Sequence, residues 1–137
     1  MPQMKIFTAD VLKKLAANGK ATRAAQEAGK REPDHKPVVK VFNPYGGATW
    51  LLTESDPDEP DILFGLCDLG MGYAELGSVR RSEIEGIRIT ALGLRLERDA
   101  WFTAEYPLSV YTAASNGERI KEDEASLKQA LAGLEAR

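Results

Sequence analysis

Positive charge is missing from the middle of this 137-residue chain. Residues 41–79 hold no Lys or Arg but seven acids: Glu54, Asp56, Asp58, Glu59, Asp61, Asp68 and Glu75. The imbalance is local, because the whole chain carries a formal net charge of only -3, which does not suggest a nucleic-acid binder. Cysteine is nearly absent too. Cys67 alone excludes an internal disulfide and suits a reducing cytoplasm. With one thiol and one imidazole, His35, soft ligands are too few for a zinc site, and no cofactor is implied. No stretch approaches the roughly 18 consecutive apolar residues of a membrane span, and the N-terminus lacks the apolar core of a leader. The expectation is a soluble, unprocessed cytoplasmic protein.

What is present suffices for one domain. At 137 residues and 43% hydrophobic composition the chain can bury a core without staples. "TADVLKKLAANG" sets Val11, Leu12 and Leu15 on one helical stripe, with Thr8 as N-cap and Asn18-Gly19 as the expected stop. Residues 20–28 favour helix but lack a large apolar anchor, so any helix there is expected to be surface-lying or frayed. From residue 37 the period changes to that of strands. Strands are expected at 37–42, 48–53, 61–69 and 73–79, joined by "NPYGG", an acidic turn and Gly70-Met71-Gly72. Connections this short imply an antiparallel meander. "SEIE" (82–85) has the form of a capping box, and "LGLRL" (92–96) alternates like a further strand. Pro107 suits the first turn of a helix ending at Asn116-Gly117, and Leu127, Leu131 and Leu134 mark a C-terminal helical stripe. The class is α+β: a mainly antiparallel four- to five-stranded sheet with N- and C-terminal helices packed on it, expected to cover one face. Residues 1–120 form the single domain and 121–137 a helical tail.

Candidate chemistry is sparse. "DPDEPD" is oxygen-rich, but counted from Asp56 an EF-hand register puts Pro60 and Asp61 at its fifth and sixth positions, so the calcium pattern fails and no metal is expected. Cys67 with His35 would make a thiolate-imidazole pair, yet strand alternation sets Cys67 beside Leu63 and Leu69, where a buried thiol is the default. Asp68 and Glu75 are close enough along the chain to face each other across the turn at 70–72, the minimum equipment for acid-base work, although spacing alone fits exposed cross-strand acids better. No phosphate loop is present. The N-terminal third, with nine basic residues against four acids, offers charge for nucleic-acid phosphates but not the interleaved aromatics of single-strand binders. Trp101, Phe102, Tyr106 and Tyr111 form the densest aromatic group, either core or partner surface.

Two runs, "HKPVVKVFNPYGGATWLLTESDPDEPDILFGLCDLGMGYAELGSVRRSEIEGIR" and "LGLRLERDAWFTAEYPLSVY", resemble the bacterial family known as domain of unknown function 2958, over about residues 8–120. The family's pattern includes His35, Lys40, Trp50, Glu54, Phe64, Gly65, Gly70, Glu75 and Gly77, without roles. "RRSEIEG" is more basic than usual there. The resemblance implies no established activity; it implies an accessory role on plasmids and related mobile DNA. The leading expectation is a non-enzymatic protein binding a protein partner through an acidic surface of Glu54, Asp56, Asp58, Glu59 and Asp61. One rival is a small enzyme with His35, Lys40, Asp68 and Glu75 in one cleft, and another is nucleic-acid binding by the N-terminal third.

Overall fold

The computed structural model describes residues 5–89 and 93–137. The chain forms α1 (Ala9–Glu27), β1 (Val39–Phe42), β2 (Ala48–Ser55), β3 (Ile62–Leu69), β4 (Ala74–Arg80), α2 (Arg81–Gly86), β5 (Glu97–Arg98), α3 (Leu108–Ser115) and α4 (Glu124–Glu135). The sheet order is β4-β3-β2-β1-β5, antiparallel throughout. The expected α+β class and four-strand meander are therefore present. The fifth strand is two residues long and follows the expected segment; Leu92 lies outside the described residues, and Leu96 is buried in the core.

The helices do not share one sheet face. Neighbouring Leu51 and Leu52 are both fully buried, on opposite sides of β2. Leu52, Trp50, Val41 and Leu63 pack with Leu15 of α1 and Ile84 of α2. Leu51 and Leu66 pack with Leu108, Tyr111 and Leu127 of α3 and α4. A strand covered on both sides loses strict alternation, and "TWLL" and "ILFGL" carry that signal. The C-terminal tail belongs to this second core through Leu127, with Leu131 and Leu134 packed against it.

Two local expectations are corrected. First, α1 continues past Asn18-Gly19 to Glu27 and stops at Ala28, with Gly29 in the left-handed region (φ 65°). Gly19 is a contact glycine instead: a Cβ there would lie 1.8 Å from the Ser55 carbonyl oxygen. The close approach lets Asn18 Nδ2 donate to the Thr53 carbonyl at 2.9 Å. The later turns are anchored by polar groups, Thr22 on His35 and Arg23 on Asp58, which is why a search for apolar anchors missed them. Second, Ser82 is not an N-cap. The helix begins at Arg81, and the Ser82 amide and hydroxyl both donate to the Asp61 carboxylate, at 3.0 and 2.7 Å. Glu85 pairs with Arg81. The cap is supplied across the fold, which no local motif encodes.

Candidate functional site

The acidic turn between β2 and β3 is built largely from its own charges. Asp56 accepts the amides of Asp58 (2.8 Å) and Glu59 (3.0 Å), an Asx turn that holds its carboxyl below the usual range, chiefly through those two donors. Arg23 of α1 reaches Asp58 at 2.8 Å and Asp56 at 3.7 Å. Arg80, at the end of β4, reaches Glu59 at 3.0 Å and Asp61 at 3.6 Å. The Ser82 hydroxyl is the main reason the Asp61 carboxyl is also lowered. Because both folded values lie below the unfolded ones, these acids support folding above about pH 4. That support is lost as pH falls through the folded values. The segment without Lys or Arg is thus matched by cations from outside it.

Glu54 is different. A register shift between Leu52 and Glu54 sets it opposite Phe64, so its side chain and the Phe64 ring share the face toward α3. Two adjoining cavities of about 290 and 440 Å3 both include Glu54, Phe64 and Glu32 in their walls. One runs toward Thr22, Arg23 and Asp56, the other toward Leu76, Leu108 and Leu134. Neither Glu54, half-buried, nor Glu32 makes a hydrogen bond or ion pair with a described residue. Phe64 is 37% exposed. The groove therefore sets two uncommitted carboxylates around an open aromatic face, with Arg23 and Arg137 also on its walls; a carboxylate beside an aromatic ring suits a cation flanked by apolar groups. Sequence reasoning included Glu54 but not its pairing with Phe64, because the bulge that aligns them has no sequence signature.

The four groups of the enzymatic reading are not brought together. His35 Nε2 lies 3.0 Å from the Thr22 hydroxyl, and its carbonyl accepts the Leu108 amide at 2.9 Å, so it clips α1 to α3. Asp34 beside it bonds the amide and hydroxyl of Ser109 in the first turn of α3. Lys40 is paired with Glu122 at 2.7 Å and lies 3.9 Å from Asp99. Asp68, 3% exposed, accepts the amides of Gly70 (2.8 Å) and Ile120 (3.2 Å). Glu75 is exposed and pairs in register with Cys67, one residue out of phase with Asp68 and hence on the other face. Asp68 and Glu75 do not face each other. Among the described residues no three His, Cys, Asp or Glu side chains are grouped to hold a metal.

Cys67 and His35 are likewise apart, since Cys67 Sγ lies against the Gly65 and Gly77 carbonyls at 3.9 and 3.8 Å. Burial pushes its thiol up to about 11. At pH 8 its thiolate is scarcer than that of an unperturbed thiol, a loss that the greater nucleophilicity of the higher-pKa thiolate only partly offsets, so alkylation by iodoacetamide in the native protein is expected to be at least about tenfold slower than in urea. Equal rates would show that the thiol is accessible and unshifted, and a faster native reaction would show an activated cysteine. The aromatic group divides: Tyr111 is buried, Phe102 and Tyr106 pack against the second core, and Trp101 is 94% exposed. No described helix is long and apolar enough to cross a membrane.

Together these features describe an α+β domain with a sheet between two helical layers and a carboxylate–aromatic groove at one corner. The chain belongs to the DUF2958 family of proteins of unknown function, whose model matches residues 6–121. No curated protein and no solved structure matches it. Helix α4 lies beyond the matched residues yet completes the second core.

Proposed function

We propose that the protein is a non-enzymatic interaction module that binds a protein partner at the Glu54–Phe64 groove, with the acidic turn as its rim. The supporting observation is the uncommitted Glu54 carboxylate beside an open aromatic ring, in a fold that pairs most of its neighbouring acids. The partner chemistry that fits is a Lys or Arg side chain flanked by apolar residues, its charge between Glu54 and Glu32 and its stem along Phe64. The role on mobile DNA implied by the family resemblance supplies the biological setting.

The rim acts through screened electrostatics, so association is salt-sensitive. With the full chain immobilised, Glu54→Gln combined with Phe64→Ala is expected to reduce partner retention at least about tenfold, the weight of a desolvated anchor. Neutralising Asp56, Asp58, Glu59 and Asp61 together is expected to weaken retention mainly at low salt. Undiminished retention by the Glu54/Phe64 double variant would rule out the groove.

A further inference from the structure

Of the five cavities among the described residues, one has no Asp or Glu in its wall. It measures about 450 Å3, within the usual range for small-molecule sites, and three separate segments close it. Helix α1 contributes Lys14 and Asn18, the connection from α1 to β1 contributes His35 and Lys36, and the segment before α3 contributes Phe102 and Thr103. Such a wall is a local reversal of sign in a chain whose formal net charge is -3.

Much of this wall is held in place before any ligand arrives. His35 Nε2 lies 3.0 Å from the Thr22 hydroxyl, and Asn18 Nδ2 donates to the Thr53 carbonyl at 2.9 Å. Lys36 lies in an irregular segment, yet its backbone is fixed on both sides. The His35 carbonyl accepts the Leu108 amide at 2.9 Å, buried Pro37 locks its own φ, and the Val38 amide donates to the Leu52 carbonyl at 2.8 Å. The groups that this backbone presents are uncommitted: neither the Lys36 ammonium nor the Thr103 hydroxyl makes a hydrogen bond or ion pair with a described residue. Lys14 is paired with Asp10 at 3.1 Å, but both groups are well exposed, so that pair is weak and readily exchanged.

We propose that this cavity binds a small aromatic phosphate of the size of a nucleoside monophosphate. A phosphate monoester carries close to two negative charges at neutral pH, enough to match both ammonium groups, whereas a carboxylate would leave one of them unmatched. Thr103 supplies a hydroxyl donor, and the half-buried Phe102 supplies apolar ring surface for a flat base. The site is separate from the Glu54–Phe64 groove: His35 borders both, but Lys14, Lys36, Phe102 and Thr103 border only this cavity.

The test is calorimetric titration of the full chain with adenosine monophosphate at low ionic strength. Saturable binding that weakens as salt is raised is expected. Adenosine and inorganic phosphate are each expected to bind at least about tenfold more weakly, since each lacks one half of the contact. Lys36→Gln, at unchanged urea midpoint, is expected to weaken the nucleotide at least about tenfold, the scale of a hydrogen bond to a charged group. Lys36→Arg is expected to keep most of the affinity, and Glu54→Gln all of it. No saturable binding, adenosine bound as tightly as its monophosphate, or full affinity in Lys36→Gln would each overturn the inference. A loss of affinity in Glu54→Gln would also overturn it, by placing the nucleotide in the groove. A single-stranded oligonucleotide bound by a chain that ignores the mononucleotide would assign the lysines to a polymer backbone instead.

Discussion

Gly19→Ala is expected to destabilise the fold by about 3 kcal/mol, the scale of overpacking against atoms that cannot move aside. Helix propensity alone gives the opposite sign, since alanine in a helix interior is favoured over glycine by about 1 kcal/mol. The decision rests on the 1.8 Å separation between an added Cβ and the Ser55 carbonyl oxygen. That oxygen is backbone of β2 where Ser55 is held in register with Leu63 of β3, so α1 would have to lift off β2. Lifting would break the Asn18–Thr53 hydrogen bond and withdraw Thr22 from His35. A urea titration reads the result as a lower midpoint at unchanged m-value. A raised midpoint would mean that the helix does not approach the strand this closely.

Asp68→Ala is expected to cost less, about 1–2 kcal/mol, because it removes the buried acceptor of two partly buried backbone amides. The carboxylate ties the amide of Gly70, in the β3–β4 turn, to that of Ile120, in the segment leading to α4. Replacing the carboxylate of Asp68, itself 3% exposed, with a methyl group leaves both amides without that acceptor, the Ile120 amide in the half-buried segment being the less able to turn to water. Hydrogen exchange should show the loss at Gly70 and Ile120 first, with protection on the buried side of α1 little changed. Asp68→Asn, which keeps one acceptor oxygen, should fall between the two proteins. A fold indifferent to Asp68→Ala would reopen Asp68 as a functional rather than a structural carboxylate.

Features carried by period and by turn chemistry were legible in the sequence. Val39 and Val41 alternate, Gly70 and Gly72 supply the positive φ of their turn (84° and 91°), and Asn116-Gly117 ends α3 with Asn116 at φ 49°. Features carried by long-range backbone contact were not. Gly19 has the composition of a helix stop, and only the proximity of β2 makes it a crossing point. Ser82 and Glu85 satisfy a capping pattern locally, but Asp61, 21 residues away, provides the acceptor. The charge count of residues 41–79 identified the acids correctly and missed their cations, because Arg23 and Arg80 lie outside that window. Within the candidate surface, Glu54 was legible as an acid and invisible as the uncommitted one. That distinction depends on which guanidinium groups fold back onto the loop.

The most direct test of the groove is a photocrosslinking residue, benzoylphenylalanine, placed at position 64 in the full chain, with a matching residue at exposed position 101 as the reference. On exposure in a lysate of the source cells, position 64 is expected to give a discrete adduct that weakens as salt is raised and that disappears on Glu54→Gln. Mass spectrometry of the adduct should map the crosslink to a segment carrying Lys or Arg among apolar residues. An adduct formed at 101 but not at 64, or a crosslinked segment without a basic residue, would contradict the assignment of this groove as the binding site.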